Sequence, residues 1–433
     1  MIPTFSITKA GLEEQWQYDT CAMLFEVARR APGQDLKLEI DDARLHLLQS
    51  PKRVSAVLRN QSGAYNKYFG EFSKYFGNSR LTTDGELWRK LRDYSQPYLT
   101  SARAQDIADT TRRYFKSATE DMLNECLEEG QIITDRHVDF AATCTVSELS
   151  LGMPVDDWGS DFIGDVHTVL KSASSTNFLT RDRGFTIEHA MLEEDAREAK
   201  DRLAALISNA ASEQKSGQGL LSALVNANDP DLDTFAEVST LLFAGFDTTA
   251  TGLSWAMLLL AVRPEIQEML RRKILASDYI KASGNVEDLL ALTELQAFVH
   301  EALRIFPPIP LLSRITSKND NLEGELIGEN QRVMLSIVGL HYAPDIYPDP
   351  FEVKIDRFPE GKIPRTMAAN YLPFGDGKRV CPGMRFANVE MLAALASILS
   401  QAKIEAPGAG KIEFEWEASM RRRGGQSLAL SAL

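Results

Sequence analysis

Phe374-Gly375-Asp376-Gly377-Lys378-Arg379-Val380-Cys381-Pro382-Gly383 is the stretch on which the reading of this chain turns. Its cysteine ends a glycine-rich turn, and a cation, Arg379, stands two residues before it. From Met384 onward the apolar spacing is that of a helix. A thiol at a helix N-terminus beside positive charge is biased toward thiolate, the form that ligates metal.

A lone thiolate in a shaped loop is one of the few protein ligands that hold haem iron axially and push electron density onto it. The pattern F-x-x-G-x-R-x-C-x-G sets five positions at fixed spacing around one cysteine, and it resembles the haem-binding loop of the cytochrome P-450 family. The resemblance implies Cys381 as the metal ligand of haem b. It places Phe374, Gly375, Arg379 and Gly383 against the cofactor and makes O2 the co-substrate.

The rest of the composition sets bounds. The chain has 433 residues, 44% hydrophobic and 25% charged, enough for a large core and unlike a disordered chain. A net charge of -14 lacks the basic footprint of a nucleic-acid binder. Cys21, Cys126, Cys144 and Cys381 form no C-x-x-C pair, which argues against a zinc site. The first three lie in apolar helical patterns and read as buried structural thiols. Sparse cysteine fits a reducing cytoplasm. Met1 to Gln15 shows no basic stretch followed by an apolar run, so neither a secretory signal nor an anchor is expected. Leu241 to Val262 is long enough to cross a bilayer. Asp247, Thr248 and Thr249 sit in its first half, where a carboxylate in lipid is costly, and a helix through a protein core fits better.

No repeat, low-complexity stretch or linker divides the chain. We expect a mainly α protein, residues 1–433 forming one large helix-rich domain with a small β part. Helical spacing covers Tyr18 to Arg30, Pro51 to Arg59, Gly85 to Tyr98, Asp106 to Glu128, Phe140 to Leu151 and Leu192 to Gln214. It covers a long helix from about Asp231 to before Pro264, then Pro264 to Ala276, and Val286 to Ile305 as one helix stopped by Pro307-Pro308. Strands are expected at Leu36 to Ile40, Leu311 to Thr316, Glu323 to Ile327 and Arg332 to Ile337, with a terminal hairpin of Ile412 to Phe414 and Ser427 to Leu430.

Three further constellations bear on chemistry. Ala244-Gly245-Phe246-Asp247-Thr248 lies in the long helix, where glycine and back-bonding threonines invite a local widening. The acid and alcohol suit a proton relay, but a capping acid or a small-residue packing notch explains the same residues. Trp88 and Arg92 share a helix face, as donors to a carboxylate or as a core tryptophan beside a surface arginine. Glu301 and Arg304, three apart among apolar neighbours, form an ion pair that needs a third partner if buried. His300 and His341 read as satisfied structural histidines rather than ligands.

In the P-450 family these stretches have assigned roles, and the resemblance runs from about Leu36 to the end. It implies Asp247 and Thr248 as the catalytic acid–alcohol pair, with Ala244 and Gly245 over the cofactor. It implies Trp88, Arg92, Arg314 and Arg379 as donors to the haem propionates, although Arg314 alone reads equally as a surface charge. It implies a structural triad of Glu301, Arg304 and Arg357. Here Asp356 stands where glutamate is commoner and Ile355 where proline is.

The implied substrate pocket involves Tyr68, Phe72, Phe178, Leu241, Ala244, Ile309, Leu311, Leu312 and Ser427. The aromatics between Gln61 and Asn78 either wall it or pack a short helix. An apolar lining implies a hydrophobic small molecule of the terpenoid, steroid, fatty-acid or polyketide class. The chain has no flavin or iron–sulfur module, so a separate ferredoxin or flavodoxin is the implied electron donor. Arg89, Lys90, Lys378 and Arg385 form either its docking face or scattered solvated charges. The expected protein is thus a monomeric cytoplasmic haem-thiolate monooxygenase of bacterial type with no membrane span. A ligand-binding haem sensor and a peroxide-driven variant are the rivals, and the Asp247-Thr248 pair speaks against both.

Overall fold

The computed structural model describes residues 2, 4–7, 20–40, 43–67, 70–99, 104–152, 162–175, 187–213, 219–227, 229–281, 284–408, 410 and 412–433. Tyr68 and Phe178 lie outside the described residues.

The helix Thr234–Val262, 29 residues long, is the axis of the fold. Asp233 caps it, its carboxylate accepting from the Ala236 N–H at 2.9 Å, which satisfies one of the donors a helix start leaves over. Pro264 opens the next helix, Pro264–Ala276, at the position where a missing N–H costs nothing. Helices Asp135–Val146, Thr293–Ile305 and Met384–Leu399 pack around the central one. Trp255 stacks on Phe306 at 4.2 Å and donates its indole N–H to the Met420 carbonyl at 2.7 Å. Such a helix is apolar nearly all round because it is enclosed nearly all round. Among the described residues no helix is long and apolar enough to cross a membrane.

The expected widening of the central helix is not found. The helix is α throughout, and the hydroxyls of Thr248 and Thr249 turn back onto the carbonyls of Ala244 and Gly245 at 2.9 and 3.1 Å. A π-helical turn occurs instead at Ser147–Leu151.

Strands are more numerous than expected. A six-stranded sheet runs in the order Thr4–Ile7, Leu36–Ile40, Ala43–Leu48, Arg332–Ser336, Leu311–Thr316, Tyr65–Lys67. Ala43–Leu48 is buried on both faces, Leu45 and Leu47 on one and His46 and Leu48 on the other, so no alternation marks it in the sequence. The stretch from Gln61 to Asn78 contains the edge strand Tyr65–Lys67 and the helix Gly70–Phe76. The expected helix Val286 to Ile305 is two, Val286–Leu290 and Thr293–Ile305. Leu289, Leu292 and Leu295 stay buried across the break, so the apolar spacing runs on while the backbone does not.

The terminal hairpin also differs. Phe414–Glu417 pairs with Ser419–Arg422 around Ala418, which takes a left-handed φ of 67°. Ser427–Ala432 pairs instead with Ala402–Glu405 and with Ile132–Ile133. Alanine rarely adopts that conformation, so nothing local marks the turn.

Glu301, Arg304 and Arg357 meet in the core. Both Glu301 oxygens accept from Arg304, at 2.6 and 2.8 Å, and Arg357 Nε reaches Oε1 at 3.3 Å. The Lys354 N–H donates to the same Oε1 at 2.8 Å. The remaining guanidinium donors go to carbonyls of His341, Pro350 and Glu352 from Arg304, and of Pro348 and Asp349 from Arg357. Glu301 and Arg304 are 0% exposed, so this saturation is what makes the charges tolerable. Asp356 is exposed and takes no part, so that departure from the family pattern leaves the triad intact.

The two histidines are structural. Leu372 N–H donates to His341 Nε2 at 3.0 Å, so His341 Nδ1–H donates to the Arg304 carbonyl at 3.1 Å. His300 Nδ1 meets the Tyr371 hydroxyl at 3.0 Å. Burial pushes His341 down to about 3 and His300 down to about 4, from an ordinary 6.5. Both are neutral when folded and take up protons on unfolding, so their contribution is present above about pH 6.5 and lost as pH falls through that range. We expect the melting midpoint to drop as pH falls from about 6.5 toward 4, and His341→Gln to flatten that dependence. Glu301→Gln leaves two buried guanidiniums without a counter-charge. It is expected to cost about 3–5 kcal/mol, read as a collapse of the melting midpoint at neutral pH.

Candidate haem site

The cysteine loop is built by its backbone. Gly375 and Gly377 both take φ of +72°, and at Gly377 a Cβ would stand 2.5 Å from the Leu58 carbonyl oxygen. Cys381 N–H donates to the Phe374 carbonyl at 2.9 Å and closes the loop, and Gly383 leads into the helix Met384–Leu399. The thiol receives the N–H groups of Gly383 and Met384. The bias toward thiolate read from the sequence is not what the fold imposes. Burial is the larger effect and pushes the Cys381 thiol up from its ordinary value of 9.0, against the pull of those N–H groups, Arg80 and Lys67. A metal ion at the sulfur would displace the proton outright.

Beside the loop stands a group of cations. The Arg379 guanidinium lies 4.2 Å from the centre of the Trp88 ring, donates to the Thr83 carbonyl at 2.5 Å and pairs with Asp84. Arg92 lies 5.6 Å from the same ring, with its side chain exposed. Arg314 is 6% exposed, and its register neighbour across the sheet is Lys67. Arg80 donates to the Ser95 hydroxyl and the Gln96 side-chain oxygen at 2.9 and 2.8 Å. Burial, then the neighbouring cations, pulls Lys67 down to about 7. Burial likewise brings Arg80 and Arg314 to about 10.

Lys67 and Arg80 were not legible as site residues. Lys67 lies in an aromatic run, and only strand pairing with Lys67↔Arg314 in register brings it to the cluster. The reading of Arg314 as a surface charge is excluded by its burial.

The central helix carries a second feature. Between Ala236 and Leu260 it is buried except at Leu241, Ala244, Gly245 and Thr248, which are half-buried and recur at three and four residues. These four lie on one stripe. Gly245 also serves packing, since a Cβ there would meet Val146 Cγ1 at 2.8 Å. Asp247 is turned off the stripe. It is 1% exposed and accepts from Arg421 at 2.7 and 3.3 Å. The acid and the alcohol are therefore neighbours in sequence whose side chains have separate partners.

The expected pocket residues divide. Phe72 is half-buried and lies 6.0 Å from both Phe76 and Phe243, over the central helix. Ile309 is half-buried directly before the strand Leu311–Thr316. Leu312 borders the cysteine loop, 3.7 Å from where a Gly375 Cβ would stand, and Leu311 packs on the Met23, Leu24 and Met334 cluster. Ser427 is drawn away. It accepts from Gln131 at 2.6 Å and pairs in register with Ile133. The turn that reaches the central helix is Ala418–Met420, with the Ser419 hydroxyl 2.9 Å from Thr251 and Met420 N–H on the Pro308 carbonyl at 2.8 Å.

These residues fit haem b. A thiol sits at the head of a helix, beside cations lowered first by burial and then by one another, whose charge two propionates would balance. One stripe of an otherwise enclosed helix is open.

Comparison with known proteins agrees. The family model described as Cytochrome P-450 matches residues 15–426. Human cytochrome P-450 4F11 is 36% identical over 177 residues, 40% of this chain and 34% of that protein. Rat cytochrome P-450 3A9 is 26% identical over 349 residues, 73% of this chain and 68% of the relative. In fold, the chain is similar to the haem domain of a cytochrome P-450DA mutant, with a TM-score of 0.84 at 20% identity, covering 100% of this chain and 98% of that one. With a family match over nearly its whole length and the thiol loop, cation cluster and open helix stripe in one fold, the chain belongs to the cytochrome P-450 family, whose cofactor is haem b and whose reaction is mono-oxygenation with O2.

Proposed function

We propose that this chain inserts one oxygen atom of O2 into a hydrophobic small molecule, using electrons from a separate ferredoxin or flavodoxin. The observation that carries the reading is a Cys381 thiol held beside clustered cations, in a fold whose central helix between Ala236 and Leu260 is open only along Leu241, Ala244, Gly245 and Thr248. Haem bound there supplies the redox and oxygen-activating chemistry. Cys381 would hold the haem iron through its sulfur, with the Gly383 and Met384 N–H groups stabilising charge there. Trp88, Arg92, Arg314 and Arg379, joined by Lys67 and Arg80, would hold the propionates. Ala244 and Thr248 face the reacting side, Thr248 offering a hydroxyl that can give up its bond to Ala244 and hand on a proton. Asp247, once its carboxylate leaves Arg421, takes up a proton from solvent and passes it to Thr248 in exchange for the one Thr248 gives.

Phe72, Leu241, Ala244, Ile309 and the turn at Ser419 supply an apolar wall, which supports a terpenoid, steroid, fatty-acid or polyketide substrate. For the electron donor, Val380 and Met384 are 39% and 36% exposed beside the cysteine, and Lys378 and Arg385 are exposed with them. Lys90 does not strengthen this face, since Asp229 and Asp231 hold it at 2.6 and 2.9 Å. An apolar centre rimmed by cations suits an acidic redox protein.

Cys381→Ser is expected to abolish the red-shifted absorbance of the reduced carbon monoxide complex. A variant keeping that band would remove Cys381 as the ligand. Lys67→Met is expected to speed haem loss to excess apomyoglobin by about tenfold, the effect of one charge-assisted hydrogen bond. An unchanged rate would take Lys67 out of the propionate site. A screen for compounds that displace iron-bound water tests the substrate class, with apolar compounds expected to score and polar ones not.

A further inference from the structure

Arg421 holds two acids at once. Its Nε and Nη2 both reach a single oxygen of Asp247, Oδ1, at 3.3 and 2.7 Å. Its Nη1 and Nη2 reach both oxygens of Asp139, at 3.1 and 2.9 Å. Asp139 takes the two-pronged fork that best matches a carboxylate, and Asp247 takes the side-on, one-oxygen grip. Asp135 approaches the same guanidinium at 3.9 Å, and His167 Nε2 lies 3.3 Å from Asp139. The side chains of Arg421, Asp139 and Asp247 are 10%, 6% and 1% exposed. Four elements meet here: the central helix, the helix Asp135–Val146, the helix Phe162–Ser175 and the terminal hairpin.

Breaking a lone buried ion pair strands a charge and is costly. With Asp139 in place, Asp247 can leave Arg421 without stranding the guanidinium. Asp139 thus weakens the hold on the acid that must move, while Arg421 keeps that acid parked off the stripe. We propose that Arg421 and Asp139 are positioning residues for proton delivery, a shared-guanidinium latch that sets how readily Asp247 swings toward Thr248. This rests on the assignment of Asp247 to the relay. The hairpin that carries Arg421 also carries Ser419 and Met420, so the latch belongs to the element that closes on Thr251 and Pro308.

The test uses the holoenzyme without substrate, with NADPH, a surrogate ferredoxin and its reductase at saturation. Reduction of O2 to hydrogen peroxide takes up two electrons and two protons, so the rate in ordinary and heavy water reads proton delivery. Asp139→Asn leaves Asp247 the main counter-ion of Arg421. It is expected to lower the rate about tenfold and enlarge the solvent isotope effect. Adding Arg421→Lys, which replaces the fork by a point charge, is expected to bring the rate back to within about twofold of the parent. Structural damage alone would make the double variant worse. The proposal falls if Asp139→Asn runs at the parent rate while Asp247→Asn is slow, or if the double variant is slower than Asp139→Asn. Asp247→Asn at the parent rate overturns the relay reading itself, and this proposal with it. Should Asp139→Asn not retain haem, Arg421→Lys alone decides: a smaller isotope effect than the parent supports the latch, and an equal or larger one overturns it.

Discussion

A single buried carboxylate, Glu301, anchors the side of the molecule that carries the cysteine. It neutralises Arg304 and Arg357 and accepts the Lys354 N–H, while the guanidiniums spend their other donors on the carbonyls of a segment with no regular structure to satisfy them. Ion pairs of this kind contribute little net stability but fix one arrangement, because any other leaves a charge unpaired. From the same helix the order passes to the loop. Arg304 gives its carbonyl to His341, His341 takes the N–H of Leu372, and Tyr371 bonds His300. Phe374 follows two residues after Leu372. The thiol is thereby held on a rigid base rather than on a free loop.

The site itself is a problem of charge in a poor solvent. Arg314 is buried, Lys67 and Arg80 are half-buried close to it, and Cys381 is half-buried with them. Each is pushed toward its neutral form, the cations downward and the thiol upward, by the same loss of water. A cofactor bringing two carboxylates and a metal ion answers both demands at once. The central helix solves a second charge problem by sharing Arg421 between Asp247 and Asp139.

Much of the site was legible because its motifs are local. The Cys381 loop, the Glu301–Arg304 spacing and the Ala244 to Thr248 stretch each report on their own surroundings through fixed spacing. What was not legible depends on pairing between distant strands or on turns without a marker. Lys67 joins the cations only because Tyr65–Lys67 lies against Leu311–Thr316. Ser427 is misplaced, and Arg421 unnoticed, because Ala418 turns the hairpin with a residue that seldom adopts positive φ. The break at Leu292 is hidden because its leucines keep helical spacing.

Spacing along single segments was enough to read the helix-rich class, the thiol and its loop, the acid and alcohol in the long helix and the Glu301–Arg304 pair of the ion triad. Only the tertiary structure decided the protonation bias of Cys381, the membership of the cation cluster and the partner of Asp247. These depend on burial and on which side chains a folded chain brings to within a few ångströms, and no local pattern encodes either.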